Sequence, residues 1–122
     1  MNAEQFVEAI RLYVADSAIK STAEILSAPP GRKPAKQLLI NSQWYNSLDT
    51  QSKEQVEAIV ARAVHDAIFS FMSVLDGASV IDEDHSEFQL ICVNPLNGSK
   101  VQLTGSEDSD SLHELYKSLD TE

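Results

Sequence analysis

The stretch that decides the fold is residues 52–77, SKEQVEAIVARAVHDAIFSFMSVLDG. Its apolar residues recur every three or four positions, which is the spacing of an α-helix, and they cover well over half of the helix circumference. Ser52 and Gln55 have the pattern of a capping box at the start, and Gly77 stands where a left-handed residue ends a helix. The sequence therefore predicts a long helix that is packed on two sides and lies at the centre of the fold.

Two further helices are predicted before this one. Apolar residues follow helical spacing from residue 3 to about residue 27, and the prolines and glycine of residues 28–34 cannot continue that helix. A second helix is predicted over residues 35–48, around Trp44 and Tyr45.

After Gly77 the apolar pattern changes to the alternation of β-strands. Strands are predicted at residues 78–81, 87–94 and 100–104, with a hairpin turn at Asn97-Gly98. A short last helix follows, which Ser111 and Glu114 begin as a second capping box. The predicted fold class is α+β, a single domain over residues 1–122. Three N-terminal helices, the third central, precede a three-stranded antiparallel meander and a short C-terminal helix.

Composition places the chain among soluble cytoplasmic proteins. Hydrophobic residues make up 43% and charged residues 23%, which is typical of globular domains. The N-terminus lacks the pattern of a signal peptide, and no apolar run approaches the roughly 18 residues of a membrane span. Cys92 is the one cysteine and cannot form an internal disulfide, which favours a reducing compartment.

The chain is strongly acidic, and most of its acidic residues lie in the C-terminal part. The chain has 19 acidic and 9 basic residues, so its net charge of −10 argues against direct binding of nucleic acid. Residues 76–122 hold 11 of the acids and 2 of the bases. A turn and a connector at one end of the predicted sheet would form a negative patch that attracts a basic protein partner. The candidate binding residues are Asp82, Glu83, Asp84, Glu87, Glu107, Asp108 and Asp110, with Phe69 as an apolar anchor. The alternative is that these acids only keep loops soluble, and that the second or the last helix covers Phe69.

No catalytic, metal or cofactor site is predicted. Residues 82–87 lack the twelve-residue spacing and mid-loop glycine of a calcium loop. No motif for catalysis or phosphate binding flanks the histidines or the cysteine, which are His65, His85, His113 and Cys92. The chain is therefore not expected to be an enzyme, although residues distant in sequence can converge in space.

The plan of about the last 70 residues resembles small acidic bacterial proteins of the toxin-immunity type. The resemblance is carried by the long helix ending Val74-Leu75-Asp76-Gly77, the meander, and the closing Leu112-His113-Glu114-Leu115 helix. It implies a non-catalytic protein whose acidic surface binds a toxin, often a basic nuclease. Two alternatives stay open: a self-assembling or adaptor module, including a homodimer, and a phage-type acidic inhibitor that mimics nucleic acid.

Overall fold

The computed structural model describes residues 1–105 and 110–120. Its elements are α1 (Ala3–Ile10), a π-helical turn (Arg11–Asp16), α2 (Ser17–Ser27), α3 (Lys36–Asn46), α4 (Thr50–Leu75), β1 (Ile91–Val93), β2 (Lys100–Gln102) and α5 (Leu112–Ser118). The chain divides into two compact units: unit 1 is Met1–Tyr13 with Asp66–Glu122, and unit 2 is Val14–His65. The prediction of a single domain stays a prediction.

The predicted fold class is wrong in its sheet. Across the described residues the chain is mostly helical, and its sheet has two antiparallel strands, β1 and β2, instead of a three-stranded meander. Residues 78–81 form no strand because the N–H groups of Ala78 and Ser79 bond to the Ser73 carbonyl at the end of α4. Val80 and Ile81, which alternation assigned to a strand, are 56% and 65% exposed.

The N-terminal half also departs from three simple helices. The first helix is not continuous, because the π-helical turn separates α1 from α2. A π turn takes an additional residue and so rotates the apolar stripe out of register. Leu12, Tyr13 and Val14 are consequently exposed, whereas Ala15 is fully buried. At the start of α1, Asn2 and Gln5 form a capping box that the sequence reading did not assign.

Helix α4 starts earlier than predicted, and fewer of its residues are buried than predicted. The Asp49 carboxylate accepts the Ser52 N–H at 2.7 Å, so Asp49, not Ser52, caps the first turn. Gly77 has φ +78°, as expected for the residue that ends a helix. Only Met72 and Ser73 of this helix are buried. The prediction of a central helix packed on two sides is therefore wrong, because periodicity reports which residues are apolar and not what covers them.

Helix α4 is long and apolar enough to cross a membrane, by length and composition alone. A mostly buried core helix of a soluble protein passes the same test, but only Met72 and Ser73 of α4 are buried. Arg62 and Asp66 lie near the middle of α4, where each charge would cost about 2.5–3.5 kcal/mol at the centre of a bilayer. The cytoplasmic location stays a prediction.

Each unit has its own packing. In unit 1, α5 places Leu112 and Tyr116 in a fully buried cluster with Val7 of α1 and Met72 of α4. In unit 2, α2 packs on α3, and the Tyr45 hydroxyl donates to Glu57 at 2.8 Å. This hydrogen bond is the main cause that raises the pKa of Tyr45 above its ordinary value.

Candidate functional site: the acidic loop

The acidic loop, residues 82–87, is a turn closed by its own side chains. Asp82 accepts the Ser86 N–H at 3.0 Å and the Ser86 hydroxyl at 2.5 Å. His85 adopts the left-handed conformation, with φ +52°, that closes the turn. The Ser86 hydroxyl and then the Ser86 N–H lower the pKa of Asp82 below its ordinary value. Asp82 is thus ionised at neutral pH and fixes the shape of the loop.

The other carboxylates of the loop point into solvent. Glu83, Asp84 and Glu87 are exposed and make no hydrogen bond or ion pair with any residue that the structure describes. The 37 residues from 63 to 99 contain no Lys or Arg, so no nearby base in sequence offsets them. Exposed apolar side chains flank the loop, Ile81 before it and Phe88 after it. The loop therefore displays negative charge beside apolar surface.

An open cavity of about 500 Å³ adjoins the acidic loop within unit 1. The loop contributes His85, Ser86 and Glu87, and Gln102 and Gly105 line the side next to β2. Gly105 starts the acidic connector, so the structure places the start of the connector beside the loop. Two of the predicted binding residues, Glu107 and Asp108, lie outside the described residues, and Asp110 is exposed.

Phe69 is half-buried and packs inside unit 1. Its ring lies edge-on to the His113 imidazole, with centroids 5.6 Å apart and planes at 80°, and it contacts the buried cluster of Val7 and Tyr116. Of the two readings of Phe69, this packing favours the one in which the last helix covers it. Its role as an anchor for a partner stays a prediction.

Asp76 and His113 form a pair that the sequence reading missed. Asp76 accepts the backbone N–H groups of Leu112 at 3.0 Å and His113 at 2.8 Å, and its Oδ2 lies 2.6 Å from His113 Nδ1. The Asp76 side chain is 5% exposed and that of His113 is 19% exposed. Asp76, an acid at the end of α4, thus caps α5 and is not part of the exposed negative surface. The position of Asp76 just after α4 was the one feature of the sequence that could have indicated this capping role.

The predicted cap of α5 is correspondingly wrong. Ser111 makes no capping hydrogen bond, and its buried Oγ has no partner among the described residues. The pattern Ser-x-x-Glu is local, whereas the acceptor that satisfies this helix start comes from 36 residues earlier in the chain.

Little of this geometry points to catalysis. A carboxylate on His Nδ1 can orient an imidazole for proton transfer, but here the same carboxylate also holds two backbone donors of α5. Cys92 lines a separate cavity of about 320 Å³, whose described lining contains no histidine and no carboxylate side chain. Within the described residues no group of three His, Cys, Asp or Glu side chains could hold a metal. The absence of enzyme activity stays a prediction.

Comparison with known proteins gives no relative. No family profile, curated protein or solved structure matches the chain. The resemblance to toxin-immunity proteins accordingly stays a hypothesis.

Proposed function

We propose that this protein is a non-catalytic, cytoplasmic binding protein whose acidic loop docks on a basic protein partner, in the manner of an immunity protein that neutralises a toxin. The observation that carries the proposal is the loop itself. Asp82 fixes the turn through Ser86, and Glu83, Asp84 and Glu87 are exposed and form no ion pair with the described residues.

Two physical effects support the proposal: the charges speed association, and the loop is already ordered before it binds. Uncompensated carboxylates on one loop create a negative potential that accelerates encounter with a positively charged surface and weakens as salt is added. A turn that is already closed loses little conformational entropy when it binds. Ile81 and Phe88, exposed on either side, supply apolar area that can be buried once the charges have met.

Capture from a lysate of the source cell tests this proposal. The baits are the wild type, a loop variant E83K/D84K/E87K and a control variant E8K/E24K/E54K. Both variants replace three exposed glutamates or aspartates by lysine and so change the net charge equally. The loop variant keeps Asp82, so the turn retains its internal hydrogen bonds.

The wild type and the control are expected to retain one stoichiometric basic protein, and the loop variant is expected to lose it. Retention should fall as ionic strength rises from about 0.01 to about 1 M, because the screening length shortens from about 30 to about 3 Å. Equal retention by the loop variant would show that the acidic loop is not the docking surface. Release of the captured protein by added duplex DNA would identify the nucleic-acid mimic among acidic inhibitors.

A further inference from the structure

Helix α3 in unit 2 has one face that is covered and one that is open. Ser42 and Tyr45 are buried on the covered face. On the open face Lys36, Ile40 and Trp44 follow one another at intervals of four residues, so they line up along the helix. Trp44 is 55% exposed. Exposed tryptophans are common anchors of protein interfaces.

The open face is bordered by positive charge. Arg32 and Lys33 precede α3, and with Lys36 they are exposed and form no ion pair with the described residues. No carboxylate occurs in sequence between Glu24 and Asp49. The α3 face, defined as Arg32, Lys33, Lys36, Leu39, Ile40 and Trp44, therefore combines three bases with exposed apolar side chains.

The acidic loop has the complementary composition. It presents Glu83, Asp84 and Glu87 between exposed Ile81 and Phe88, which mirrors the α3 face with the opposite sign of charge. The asymmetry extends to the units: unit 1 carries 14 acids and 3 bases, whereas unit 2 carries 5 acids and 6 bases.

From this complementarity we infer that the α3 face binds the acidic loop of a second copy of the same chain. A second copy supplies the matching surface itself, because its acidic loop carries three exposed carboxylates beside two exposed apolar side chains. The inference goes beyond the proposed function, since it assigns a role to unit 2 and requires no other protein. A pair related by a two-fold axis would make this contact twice. Self-association and a basic partner would then compete for the same loop.

The test is the mass of the protein in solution, measured by sedimentation equilibrium over a range of concentrations. The samples are the wild type, the loop variant E83K/D84K/E87K, a face variant R32E/K33E/K36E and the control E8K/E24K/E54K. The wild type and the control are expected to reach twice the monomer mass as concentration rises. Each of the other two variants alone is expected to stay monomeric, because its loop and its α3 face carry the same sign of charge.

An equimolar mixture of the loop and face variants is the decisive sample. In the mixture a lysine-bearing loop meets a glutamate-bearing α3 face and a native loop meets a native face, so we expect a heterodimer at twice the monomer mass. W44A, which changes no charge, is expected to weaken the wild-type dimer at least tenfold, because it removes the largest apolar contact of the face.

Two results would overturn the inference: a wild type that stays monomeric up to millimolar concentration, or a mixture that stays monomeric although the wild type dimerises. Neither result bears on the capture of a basic partner, which is measured separately with the same loop variant. The failure of one idea is thereby distinguishable from the failure of the other.

Discussion

Asp76 holds the start of α5 by accepting two backbone N–H groups of that helix, and its Oδ2 also lies 2.6 Å from His113 Nδ1. We predict that D76A lowers the free energy of unfolding by about 2 kcal/mol, because it leaves part-buried donors without an acceptor. S111A, at the position that the local sequence pattern selects, should not lower it, since the Ser111 hydroxyl caps nothing and its buried Oγ has no partner among the described residues. Urea denaturation of the two variants measures both values. Equal losses in the two variants would contradict this assignment of the cap.

A second prediction at this scale concerns Asp49. Hydrogen bonds from the side chain and then the backbone of Ser52 lower the pKa of Asp49 below its ordinary value. The stabilisation that Asp49 gives α4 is thus present above its unfolded-state pKa and is lost as pH falls through the lower folded-state pKa. In an NMR titration of the carboxyl carbons, S52A should raise the pKa of Asp49 towards its ordinary value. An unchanged pKa in S52A would show that the Ser52 hydroxyl is not the main cause.

At the scale of elements, the hairpin and the segment before it differ in their backbone hydrogen bonds. The Leu103 N–H donates to the Leu90 carbonyl, and the Asn94 N–H donates to the Ser99 carbonyl. Hydrogen-bonded pairs recur at every second position of an antiparallel ladder, so Cys92 and Val101, which lie between these two pairs, are also hydrogen-bonded to each other. Val80 and Ile81 belong to no strand. We predict slow hydrogen exchange at the amides of Cys92 and Val101 and fast exchange at those of Val80 and Ile81. Comparable protection at all four amides would instead support a three-stranded sheet.

The sequence predicted the ends of helices well where prolines and glycines interrupt the chain. It failed where contacts between residues distant in sequence determine the local structure. Residues 28–34 contain three prolines and a glycine, and α3 lies within the predicted range 35–48. The π-helical turn was not predictable, because apolar spacing of three and four residues tolerates an added residue without an obvious break in the pattern. Polar and apolar residues alternate over residues 78–81 as in a strand, but two of their backbone N–H groups donate to the Ser73 carbonyl at the end of α4.

The same limit applies to the candidate site. The exposure of Glu83, Asp84 and Glu87 follows from their place in a polar turn, so the sequence located the acidic loop. The use of Asp76 inside unit 1 did not follow, because it depends on a helix 36 residues away. The sequence did not decide whether Trp44 and Tyr45 are core residues or interface anchors; the structure separates them, because Tyr45 is buried and Trp44 is exposed.

At the scale of the whole molecule, the long apolar helix α4 raises the question of whether the protein inserts into a membrane. We predict that, after lysis without detergent, ultracentrifugation leaves the protein in the supernatant. The physical reason is that Arg62 and Asp66 make insertion of α4 unfavourable. Recovery in the membrane pellet that persists through a high-salt wash would contradict the cytoplasmic location.

The most direct measurement of the central claim is the association rate constant between this protein and its captured basic partner, followed against ionic strength. For the wild type and the control E8K/E24K/E54K we predict a rate constant that falls at least tenfold as salt rises from about 0.01 to about 1 M. For E83K/D84K/E87K we predict a slower association with little dependence on salt. Rate constants that fall equally in all three proteins would show that overall charge, and not the acidic loop, governs binding.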